Sequence, residues 1–132
     1  MNPHQERTMA DLRKFFAAYA ERYMASDVDA VAAMCEAPLL AVREGRAIHL
    51  GNRSAVQGHL AELMRAYRST GAARADIAEL DVVPLGNSGA VTTVRWHVVD
   101  EAGTLLRDFR TTYQLLRGDD GWRILSYTNH DA

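Results

Sequence analysis

The chain has 132 residues, 48% of them hydrophobic, and a formal charge of −2. That length suits a single domain spanning residues 1–132 with its own core, and the near-neutral balance offers no basic face for nucleic acid. The lone cysteine, Cys35, excludes an internal disulfide framework and a Cys-based zinc site, and no apolar run approaches the roughly 20 residues that cross a bilayer.

The opening stretch "MNPHQERTMADLRK" is polar and lacks the apolar centre of a secretory signal, so a soluble cytoplasmic protein is expected. From Thr8 onward Leu12, Phe15, Phe16, Tyr19 and Tyr23 recur at helical spacing, with Thr8 and Asp11 as a loose capping pair. A second, short helix is expected after Asp27, with Val28, Val31, Met34 and Cys35 on its apolar stripe and Pro38 ending it. "PLLAVREG" and "RAIHLG" flank Gly45 and read as a hairpin. The third helix is the clearest: Asn52 caps it, Gly71 stops it, and Val56, Leu60, Leu63, Met64 and Tyr67 share one face.

After Gly71 the period changes from helical to alternating. "RADIAELDVVPLG", "GAVTTVRWHVVD", "TLLRDFRTTYQLLR" and "GWRILSYTNH" read as four strands separated by turn formers. Helices followed by hairpin-connected strands predict an α+β fold, with helices on one side of a mainly antiparallel sheet. If Asp100 pairs with Gly103, Val94 faces Phe109 and Arg95 faces Asp108. If Arg117 pairs with Trp122, Leu115 faces Ile124 and Tyr113 faces Ser126. Alternation then puts Trp96, Phe109, Tyr113, Trp122, Ser126 and Thr128 under the helices. Arg95, His97, Asp108, Arg110 and Tyr127 fall on the outer face.

The order of elements, with the motifs "ASDVDAVAAMC", "GNRSAV" and "DGWRI", resembles the NTF2-like superfamily, nearest its SnoaL-like and ketosteroid-isomerase-like group. The resemblance implies a cone of three N-terminal helices packed on a curved sheet, with a pocket at the wide end. It also implies a homodimer, here through the outer sheet face. Isomerase-like members use a tyrosine on the first helix and an aspartate base on the first strand after the second helix. Aligning "SDVDAV" places Tyr19 on the tyrosine and Arg43 on the base. An arginine stays protonated and cannot abstract a substrate proton, so steroid-isomerase chemistry is not expected.

Three functional readings remain open. In the leading one, Tyr19, Tyr23, Arg43, Trp96, Phe109, Tyr113, Trp122, Ser126 and Thr128 line a pocket for a small, partly apolar organic molecule, with Arg43 suited to a carboxylate or enolate. In the second, His97 and Asp108 are the catalytic candidates of a cofactor-free isomerase, cyclase or hydrolase, against an ordinary row of surface ion pairs. In the third, the aromatics fill the cone and the protein is a structural or partner-binding module. His59 either lines the pocket or is a partly buried, satisfied histidine. No spacing of His4, His49 or His130 with carboxylates suggests a metal, and no glycine-rich phosphate loop or other cofactor motif is present.

Overall fold

A computed structural model describes residues 2–130. Helix α1, Pro3–Met24, begins five residues before the expected Thr8. Asn2 Oδ1 accepts from the Gln5 amide at 2.9 Å, and Gln5 Oε1 accepts from the Asn2 amide at 3.0 Å, so two orphan donors are satisfied reciprocally. Pro3 follows the cap, where its missing N–H costs nothing. Thr8 lies inside the helix, and its hydroxyl donates to the His4 carbonyl at 3.0 Å. Leu12, Phe16, Ala20 and Tyr23 form the buried stripe.

Helix α2, Val28–Ala32, is capped as expected by Asp27, which accepts from the Ala30 amide at 3.2 Å. Its five residues are too few to include Cys35, which instead opens strand β1, Cys35–Arg43. Burial pushes the Cys35 thiol up to about 12, as suits an inert core residue. Pro38 therefore lies within a strand rather than at a helix end, in the stretch where β1 shifts register. Strand β2, Arg46–Leu50, returns through Glu44 and Gly45, at φ 51° and 74°. Two positive values at the centre of a two-residue hairpin are the signature of a type I′ turn.

Helix α3, Arg53–Ser69, follows Asn52, whose side chain accepts from the Ala55 amide at 2.9 Å. Strands β3 (Arg74–Leu85), β4 (Gly89–Val99), β5 (Leu105–Gly118) and β6 (Gly121–His130) complete the described residues. One six-stranded sheet runs in the order β2-β1-β6-β5-β4-β3, antiparallel except where β1 meets β6. The fold is thus α+β with a mixed, mainly antiparallel sheet. Its three helices do not all precede the strands, because the β1–β2 hairpin comes before α3. The last strand is central, not an edge. No helix of the described residues is long and apolar enough to cross a membrane.

Two registers differ from expectation, with opposite consequences. In the β4–β5 hairpin Asp100 closes a loop with Thr104, and a bulge follows between Val98 and Val99. Loop and bulge each displace the pairing by one residue, so Val94 meets Thr111, Trp96 meets Phe109 and His97 meets Asp108. Two displacements leave every side chain on its expected face, because the strand period is two.

In the β5–β6 hairpin a single bulge occurs: Leu115 pairs with Ile124, but Gln114 pairs with Ser126. Beyond the bulge the faces exchange. Tyr127 opposes Tyr113 and is buried, whereas Ser126 and Thr128 point to the outer face.

Candidate functional site

The inner face of the sheet and the C-terminal halves of α1 and α3 enclose a hollow. Helix α1 contributes Tyr19, Tyr23 and Met24, and α3 contributes Leu60, Leu63 and Tyr67. From the sheet come Arg43 on β1, Trp96 and Val98 on β4, and Phe109, Thr111 and Tyr113 on β5, with Tyr127 and Asn129 on β6. All five tyrosines of the chain meet here. The space open to the centres of water-sized molecules is about 50 Å³. That volume holds a few waters, at the roughly 10–15 Å³ each requires.

The aromatic wall is continuous. Tyr19 stacks on Trp96 with ring centroids 6.3 Å apart, Tyr23 meets Tyr19 at 5.5 Å, and Tyr67 meets Tyr23 edge-on at 5.9 Å. Trp96 Nε1 donates to the Tyr113 hydroxyl at 3.0 Å. The Thr111 hydroxyl donates to Asn129 Oδ1 at 2.7 Å, which leaves the Asn129 amide nitrogen as a donor. Burial raises the pKa of each tyrosine. Their phenols therefore stay protonated at neutral pH and offer hydrogen bonds rather than charge.

Arg43 supplies the charge. Leu39, Ala41 and Arg43 alternate toward the interior of β1, the first two almost fully buried and Arg43 half-buried. Its guanidinium lies against Tyr127, and its charge is felt by Tyr23, Tyr67 and His59. Among the described residues no carboxylate oxygen lies within 4.0 Å of it. No carboxylate belongs to the described lining either. The hollow is a phenol-lined chamber with a cation in its wall.

His59 stands behind this wall, hydrogen-bonded through Nε2 to the Tyr127 hydroxyl. Burial, followed by the Arg43 charge, lowers its pKa below the ordinary histidine value, against an opposing pull from Glu62. The unfolded chain thus binds a proton that the folded chain resists, and stability falls as pH drops from about 6.5 through the folded pKa. Replacing His59 with Gln is expected to flatten the decline in urea-unfolding stability between about pH 7 and pH 5. Equal slopes for both proteins would contradict this.

Of the residues expected in the pocket, Tyr19, Tyr23, Arg43, Trp96, Phe109 and Tyr113 line the hollow. Three do not. Ser126 and Thr128 are turned outward by the β6 bulge. Trp122 sits at the β5–β6 turn, paired with Arg117, whose guanidinium lies 5.6 Å over the indole. Tyr127, Asn129 and Tyr67 belong to the site and were not expected there. The first two were hidden by the bulge. Tyr67 was legible as a member of the apolar face of α3, with nothing in the sequence to separate wall from core.

His97 and Asp108 lie on the outer face, away from the hollow. Asp108 is bound in fork geometry by Arg95, Nε to Oδ1 at 2.9 Å and Nη2 to Oδ2 at 2.8 Å. Arg95 also reaches Glu79 at 2.9 Å, and Arg110 reaches Glu79 at 3.2 Å. His97 Nε2 is 3.4 Å from Asp108 without forming a hydrogen bond. The Arg95 hydrogen bonds hold the Asp108 carboxyl below its usual pKa, which weakens it as a base.

A mainly antiparallel sheet packed against helices around a hollow defines an NTF2-like cone. Residues 9–132 match the family described as NTF2-like protein (DUF6841), and the chain belongs to that family. No curated protein matches the sequence. Among solved structures, the fold is similar to Aln2 from a Streptomyces species, with 18% identity, 99% of this chain and 93% of that chain covered, and a TM-score of 0.76. An NTF2-like protein with a cystatin-like fold from Novosphingobium aromaticivorans shares 19% identity over 95% of this chain and 84% of its own, with a TM-score of 0.73. An NTF-2 like protein of unknown function from Shewanella oneidensis shares 17% identity over 92% of this chain and 98% of its own, with a TM-score of 0.72.

Proposed function

We propose that this protein binds a small, partly apolar organic anion in the hollow, with the charged group on Arg43 and the hydrocarbon against the aromatic wall. The supporting observation is the guanidinium of Arg43 among phenols, with no carboxylate oxygen within 4.0 Å of it among the described residues. A half-buried cation gains from a counterion, and a carboxylate or enolate guest would supply one. The phenols and the Asn129 amide add neutral donors for the same oxygens. The guest is small: a ring would need roughly three times the present volume, since a cavity of about 150 Å³ holds benzene. It must therefore move side chains at the mouth or extend through it. Acid–base catalysis by His97 and Asp108 is disfavoured, because both stand outside the hollow and Asp108 is occupied by Arg95.

Trp96 lines the hollow and reports on it. With Trp122 replaced by Phe, tryptophan fluorescence can be titrated with short carboxylates, from butyrate to phenylacetate, and with their uncharged amides. Saturable binding of the acids in preference to the amides supports the reading. Indifference to the charge removes it.

The outer sheet face is proposed as the contact between two copies. Leu40, Val83, Leu85 and Leu116 project there and are 41%, 57%, 47% and 44% exposed, around the ion-pair row. Replacing Leu85 and Leu116 together with Lys should convert a dimer into a monomer in light scattering. A wild-type protein that is monomeric at micromolar concentration would overturn the proposal.

A further inference from the structure

A second guanidinium stands beside the hollow. Arg107 precedes Phe109 by two residues on β5, so it shares the inner face with Phe109, Thr111 and Tyr113. Its guanidinium carbon lies 4.5 Å over the Phe109 ring and 5.5 Å over the Tyr67 ring, and Nη1 donates to the Tyr67 hydroxyl at 3.0 Å. Phe109 and Tyr67 both line the hollow, whereas Arg107 itself is exposed, which places its head at the rim. As with Arg43, no carboxylate oxygen lies within 4.0 Å among the described residues.

Tyr67 joins the rim to the chamber, since it lines the hollow together with Arg43 and its hydroxyl accepts from Arg107. Because its oxygen accepts from Arg107, its O–H proton remains available for a guest. Resting on two aromatic faces also restricts Arg107 before any ligand arrives, and a preorganised guanidinium loses less entropy on binding.

We propose that the preferred ligand is an organic dianion of the dicarboxylate type. One carboxylate sits at Arg43 and the other at the rim, where Arg107 receives it and Tyr67 donates between them. This rests on the anion-binding reading above. It makes Arg107 the residue that distinguishes a diacid from a monoacid.

The test compares α,ω-dicarboxylates from succinate to adipate with monocarboxylates of equal chain length, by calorimetry on wild-type protein and on Arg107→Met and Arg107→Lys. Methionine keeps an apolar stem against Phe109 and Tyr67 but removes the charge. Wild-type protein should favour the best diacid over its monoacid by roughly fivefold, the size of a partly exposed ion pair. Arg107→Met should abolish that preference, read as the ratio of diacid to monoacid affinity in the same variant, and Arg107→Lys should restore part of it. A diacid preference below about twofold in the wild type, or one that survives Arg107→Met, overturns the inference while leaving monoacid binding as proposed. If neither class binds, the anion-binding reading falls with it.

Discussion

Replacing Arg43 with Gln should weaken carboxylate binding by roughly ten- to a hundredfold while leaving the fold as stable as before, or slightly more so. A hydrogen bond to a charged group contributes about 1.5–3 kcal/mol, and every 1.4 kcal/mol or so is a factor of ten in affinity. The fold should tolerate the change because the described residues give Arg43 no carboxylate partner to abandon. Glutamine can still reach toward Tyr127 and relieves the cost of holding a cation among aromatic rings. Calorimetric titration and urea unfolding read the two halves separately. Unchanged affinity would show that the charge is not the anchor. A stability loss above about 2 kcal/mol, on the scale of a broken buried hydrogen bond, would show that Arg43 is structural.

Phe16→Ala should destabilise the protein by about 3–5 kcal/mol, the cost of removing a large ring from a tight core. Phe16 is completely buried, and its ring lies 4.5 Å from Tyr113, 5.8 Å from Tyr19 and 6.4 Å from Trp96, centroid to centroid. It is thus the floor on which three wall residues of the hollow rest. With total stabilities of about 5–15 kcal/mol for domains of this kind, such a loss would shift the urea midpoint far toward zero. A loss below about 1 kcal/mol would mean that Phe16 does not support the wall. The same substitution should loosen the hollow, so carboxylate affinity should fall even where the variant remains folded.

Much of the architecture was legible because the period turns from helical to alternating for good at Gly71, and because Asp27, Asn52 and glycines at turns mark the boundaries. The helix start was missed because Asn2 and Gln5 do the work usually signalled by serine and glutamate. Cys35 was read as helical because its spacing from Val31 suits a helix, yet the chain leaves α2 at Ala32.

For the site, the decisive variable was strand phase. On β4 and β5 the inner face was correctly assigned because two single-residue displacements cancel. On β6 only one displacement occurs, at a bulge among Ile124, Leu125 and Ser126, and nothing in those residue types announces it. That hid Tyr127 and Asn129 and promoted Ser126 and Thr128. Arg107 was legible in principle, since counting back by twos from Tyr113 through Thr111 and Phe109 lands on it. An arginine on an apolar face is easily passed over when charge is assumed to face outward.

The central claim is that the phenol-lined hollow holds an anion on Arg43. A crystal structure of the protein soaked with a short dicarboxylate or with phenylacetate tests it most directly. The predicted result is ligand density inside the cone, with a carboxylate oxygen about 3 Å from the Arg43 guanidinium and the hydrocarbon against Tyr19, Tyr23 and Trp96. An empty hollow at saturating ligand, or a guest whose carboxylate points away from Arg43, would contradict it.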